Sequence, residues 1–188
     1  MNNNARDRIL DRLRAADAHT GASHSKDVCM PAATYDRTEK VNRLKSLMET
    51  VRTEVHLAGK NDWVDTLKGI LRQRGLKSLL YAPQTDIARS IEEGWESETD
   101  GLPGLTVYDD PIEVCKDELF HTDAAITTTV GAIAETGAVI LWPTANEPRL
   151  MSLVPPIHIA VVAEENIYSN FCEVICPRSR RKPRQKAS

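Results

Sequence analysis

At 188 residues the chain is long enough for one domain with a full hydrophobic core, plus extensions. Its 41% hydrophobic and 27% charged residues are those of a globular protein, and no apolar run is long enough to span a bilayer. The net charge of −3 is unevenly spread: residues 178–188 hold six Lys/Arg and no acid, which leaves 18 basic against 27 acidic residues, or −9, in the rest. An acidic body argues against a nucleic-acid-binding domain, because phosphate contacts need clustered positive charge.

The polar N-terminus has no apolar h-region, so no secretory signal is read and a cytoplasmic protein is expected. Residues 5–16 read as a short helix with Ile9, Leu10 and Leu13 on one side. A loop of small and polar residues at 17–36 separates this arm from the main domain. From Thr38, Val41, Leu44, Met48 and Val51 recur at helical spacing. Residues 53–58 alternate weakly, as a strand would. A second helix is expected over 62–74, with Gly75 as its C-terminal cap. A buried strand follows at 78–82, a helix at 85–95 and a strand at 105–108. Asp110, Pro111 and Glu113 then form a helix-start signature for a helix ending near Phe120. Strands alternating with helices imply a mostly parallel sheet with helices on its faces, an α/β fold.

The texture changes at Asp123. The run at 123–137, DAAITTTVGAIAETG, is followed by a strand at 138–142, a polar loop at 143–148, and a strand at 157–162 that contains His158. Glycines 131 and 137 permit positive φ or a close approach of backbone to ligand. In open α/β sheets, ligands bind beyond the carboxyl ends of strands. Threonine hydroxyls and free backbone N–H groups there can hold a carboxylate or phosphate. Candidate ligand-binding residues are therefore Thr127, Thr128, Thr129, Gly131, Thr136, Gly137, Arg149 and His158, with Arg149 as a bidentate anion contact. Glu135 is the candidate catalytic group, as base, nucleophile or orienting acceptor. Structural alternatives stand beside these. The threonines suit a strand as β-branched residues, Glu135 can pair with Arg149, and His158 can be a strand histidine. No nucleotide-phosphate motif occurs.

These residues carry a resemblance. The run at 123–137, the strand after it, Glu147-Pro148-Arg149 and Pro156-Ile157-His158-Ile159-Ala160-Val161 together resemble the LUD domain, within it the lactate utilization protein C branch. The match is specific over about 120–168 and looser over 38–119. The resemblance implies a three-layer α/β sandwich of the sugar-isomerase and CoA-transferase-like type, occupying 37–176. Residues 1–36 then form an N-terminal helix and loop, and 177–188 a basic tail. It implies a role in bacterial L-lactate oxidation to pyruvate, beside two partner subunits that carry iron–sulfur clusters, with no cofactor in this chain. A small anionic ligand is expected near 127–137. The rival readings are a stand-alone isomerase or acyl-transferase using Glu135, and a pure assembly factor. Family members continue into a Ser-Gly-Pro-Ser-x-Thr-Ala-Asp-type loop and a final strand. Here Cys176-Pro177 leads straight into basic residues, which reads as a truncation or a shifted frame.

Cys29, Cys115, Cys172 and Cys176 are too few and too scattered for a disulfide framework. The pair at 172 and 176 lacks the two further ligands and the spacing of an iron–sulfur site, so no metal is expected.

Overall fold

The computed structural model describes residues 8–12, 15, 33–108 and 119–175. Residues 1–32 and 33–188 are separate units, and within the first, residues 8–12 and 15 are helical. The second unit carries the sheets and the core.

Residues 33–36 are extended and tied to the far end of the domain. The Tyr35 amide donates to Ser169 Oγ at 3.1 Å, and Asn170 Nδ2 donates to the Ala33 carbonyl at 3.0 Å. Helix α1 (Arg37–Thr50) starts where Asp36 Oδ1 accepts from the Glu39 amide at 2.8 Å, meeting one of the donors every helix start leaves free. The expected strand at 53–58 does not form. These residues are mostly exposed, and among the described residues no strand pairs with them. Helix α2 (Trp63–Arg74) ends at Gly75, whose φ of 61° is the left-handed cap the sequence calls for.

Strand β1 (Ser78–Tyr81) is followed by turns at 83–87, where the Ala88 amide donates to the Thr85 carbonyl at 3.2 Å. Helix α3 (Ala88–Ser97) therefore begins later than expected. Strand β2 is Gly104–Val107 and β3 is Ala124–Thr128. The helix-start signature at 109–113 lies outside the described residues, and 119–121 are helical. Then come β4 (Gly131–Ile133), β5 (Ala138–Ile140), a 3₁₀ turn (Arg149–Ser152), β6 (Ile157–Val161), a second 3₁₀ turn (Glu164–Asn166), β7 (Ile167–Tyr168) and a short helix α4 (Phe171–Ile175).

The strands form two sheets. The larger is parallel throughout, in the order β2-β1-β3-β6. Alternation along a strand sends Leu79, Tyr81, Ala124 and Ile126 to one face, where Leu67 and Leu71 of α2 and Ile91 and Trp95 of α3 cover them. Leu80 and Ala125 point to the other face and meet Leu119 and Met151. Each of these large apolar side chains stabilises the domain by about 1.5–3 kcal/mol on burial. The result is three layers with the sheet in the middle, an α/β fold as expected. The buried Trp95 indole donates to the Pro103 carbonyl at 2.9 Å, so its polar atom is not stranded.

The smaller sheet, β5-β4-β7, is mixed: β4 and β5 run antiparallel, β4 and β7 parallel. It packs Ala132, Ala134 and Ile167 against Leu44 of α1. The sequence reading missed β4 and β7, which are three and two residues long. Strand β6, expected to be buried, is half-buried along its whole length, because among the described residues it is an outer strand of its sheet.

Candidate functional site

The chain leaves β1 for β2 on one side, then returns to place β3 on the other side of β1. The carboxyl ends of β1 and β3 thus flank the point where the strand order reverses, the place in open parallel sheets where a crevice opens. The end of β3 is Thr127-Thr128, followed by Thr129.

Alternation prevents three consecutive threonines from facing one ligand together, and their hydroxyls take three different partners. Thr127, nearly buried, lies 2.8 Å from His158 Nε2 through its Oγ1. The register pairs His158 with Ala125, so the imidazole reaches two residues along β3 on the same face. Thr128 donates its amide to Glu147 Oε1 at 2.8 Å and its hydroxyl to Glu147 Oε2. Thr129 donates its hydroxyl to the Val161 carbonyl at 2.8 Å, tying the end of β3 to β6.

Glu147 is the residue the sequence reading left out of the site. It sits on the loop that returns from β5, closed by its own turn: the Thr144 amide donates to the Glu147 carbonyl, and the Glu147 amide to Thr144 Oγ1, both at 3.0 Å. The available signal was its place in Glu147-Pro148-Arg149, within the resemblance. Burial pushes the His158 imidazole below its ordinary value, while the Glu147 carboxylate pulls it part of the way back. His158 is therefore neutral at pH 7, and Thr127 and His158 can exchange donor and acceptor roles.

The remaining candidates lie elsewhere. Gly131 starts β4, and a Cβ there would stand 2.3 Å from the Asn166 carbonyl oxygen, so its lack of a side chain lets β7 approach. Glu135, Thr136 and Gly137 form the turn at the opposite end of β4, a strand of about 10 Å at ~3.3 Å per residue. Glu135 is exposed and forms no ion pair with Arg149, so the structural pairing weighed for them is absent. The Glu135 amide donates to the Ser169 carbonyl at 3.0 Å. Gly137 has a φ of 72°, and a Cβ there would meet Leu47 Cβ of α1 at 2.8 Å. Arg149 opens the first 3₁₀ turn, two residues after Glu147, and is exposed. Among the described residues, no three His, Cys, Asp or Glu side chains converge to hold a metal ion, and no helix is long and apolar enough to cross a membrane.

A parallel α/β domain with a polar strand end at the reversal of its strand order is the class these features define. The LUD domain family profile matches residues 41–185, and the chain belongs to that family. It is 28% identical over 174 residues to an uncharacterized protein of Neisseria meningitidis serogroup B, covering 89% of this chain and 72% of that one. It is 29% identical over 136 residues to lactate utilization protein C 1 of Bacillus mycoides, covering 69% of this chain and 55% of that one. Lactate utilization protein C of Deinococcus radiodurans is 40% identical over 71 residues, 37% of this chain and 34% of its own length. A crystal structure of a DUF162 family protein from Deinococcus radiodurans superposes with a TM-score of 0.58 at 22% identity, over 74% of this chain and 77% of that one, and shares the fold.

Proposed function

We propose that this chain is a component of a bacterial L-lactate utilization system, acting as a non-redox subunit that binds a small carboxylate at the end of β3. The observation that carries the reading is the pair of donors on Thr128. Its amide and hydroxyl both point at one carboxylate, that of Glu147, so the geometry is one a carboxylate fits. The position at the strand-order reversal and the neutral His158 nearby add a binding location and a polar neighbour. The names of the Bacillus and Deinococcus relatives support lactate utilization as the setting. The oxidation itself then belongs to two iron–sulfur-bearing partner subunits, and this chain contributes binding.

Titrating the purified chain with L-lactate and with pyruvate, followed by amide NMR, tests the reading. The Thr128 and Thr129 amide resonances are expected to move saturably. Shifts confined to other regions, or none with either acid, refute the site. Affinity purification from lactate-grown host cells is expected to recover two cluster-bearing subunits, and their absence refutes the assembly.

A further inference from the structure

The three threonine hydroxyls at the end of β3 and the Thr128 amide are all engaged within the chain. The Thr128 amide and hydroxyl, the two that converge, are held by a side chain carrying the same carboxylate chemistry as the proposed ligand. The local charge is then that of Glu147, with a neutral imidazole beside it. A second carboxylate entering next to Glu147 would meet like-charge repulsion and find no free donor on Thr128. Either no anion binds there, or Glu147 leaves.

The loop is built to let it leave. Residues 143–146 are exposed, and the described hydrogen bonds of the loop's tip are the internal pair between Thr144 and Glu147. Pro143 and Pro148 bracket the segment, and the Arg149–Ser152 turn anchors its far side through buried Met151. Swinging the tip therefore breaks the two Thr128 contacts without disturbing the core. Arg149 lies on the same segment, exposed and without an ion-pair partner among the described residues.

We infer that Glu147 is an internal stand-in for the ligand: its carboxylate occupies the Thr128 donors in the free protein, and a small carboxylate binds by displacing it. This rests on the reading of Thr128 as a carboxylate cradle and adds a competition that sets the apparent affinity. The fraction of molecules with the loop open multiplies the intrinsic affinity, so the closed loop costs binding strength.

Calorimetric titration of the 188-residue chain and of its Glu147→Gln and Glu147→Ala variants with L-lactate, pyruvate and acetate tests this. Gln keeps an acceptor for the Thr128 amide and removes the charge, and Ala empties the cradle. The expected result is binding tightened by roughly tenfold or more in both variants, with Ala the stronger, as the closed population is lost. Acetate, too small to make other contacts, is expected to raise the melting temperature of Glu147→Ala and not that of the wild type. Wild-type binding of L-lactate or pyruvate that is unchanged or weaker in the variants overturns the displacement and leaves the binding site standing. Absence of binding by wild type and variants alike removes both. Failure of Glu147→Gln to fold also overturns the displacement, because a group that leaves on binding cannot be what holds the domain together.

Discussion

Thr127, Thr128 and Thr129 are chemically identical, and their different fates come from position alone. One meets an imidazole, one a carboxylate and one a backbone carbonyl. The imidazole carries a pH signature. With burial holding His158 below the ordinary histidine value of 6.5, the unfolded chain takes up a proton that the folded chain resists. His158 therefore supports folding fully above about pH 6.5, and that support is lost as pH falls through the lower folded value. Urea unfolding between about pH 8 and pH 5 is expected to show stability declining on the acid side, with at most ~1.4 kcal/mol per pH unit from this group. His158→Gln, which keeps a polar tip near Thr127, is expected to reduce that acid-side slope. An identical slope in the variant assigns the acid sensitivity to other groups.

Elements of this domain are short, and contacts between them do much of the work that length does elsewhere. Strands β4 and β7 number three and two residues, yet their pairing continues past the strands: the Ala134 amide donates to the Tyr168 carbonyl at 2.8 Å, and the Glu135 amide to Ser169 at 3.0 Å. Gly131 is what permits the approach. Gly131→Ala is expected to force β7 away from β4, because the new Cβ meets backbone that cannot rotate aside. A loss of about 3 kcal/mol is expected, the upper range for overpacking, read from denaturant unfolding. A loss below roughly 1 kcal/mol means that the two strands separate easily and do not fix the turn at 134–137.

At the scale of the whole domain, one sheet is sandwiched between unequal layers. Helices α2 and α3 bury the central strands on one face and leave its outer strands partly covered, while Leu119, Met151 and their neighbours cover the other. Leu71 is completely buried at the centre of the better-covered face. Leu71→Ala leaves a cavity against β1 and β3 and is expected to cost about 2–5 kcal/mol, seen as a lower urea midpoint for the whole domain. Because the carboxyl ends of β1 and β3 are set by that packing, the same variant is expected to weaken the carboxylate binding proposed for the end of β3. Full affinity in a destabilised Leu71→Ala protein shows that the strand ends hold their geometry independently of the core.

The sequence by itself determined the α/β class, the helices at α1 and α2, and the Gly75 end of α2; the Asp36 cap of α1 came from the structure. The first three rest on local rules: apolar spacing, cap chemistry and the alternation of strands with helices. The LUD-type resemblance was legible in the run at 123–161 for the same reason, since it is a matter of residues in order. Only the tertiary structure decided the rest. Strands β4 and β7 are too short to show a period, and 53–58 shows one that no neighbour completes. Gly131 and Gly137 looked like openings for a ligand, and the fold uses them for close contacts with Asn166 and Leu47. Glu147 lies 19 residues from Thr128, and nothing local says that a loop will carry its carboxylate back to the end of β3. The cluster at the end of β3 depends on which strand and which loop become its neighbours, and that is settled by long-range burial rather than by any stretch of sequence.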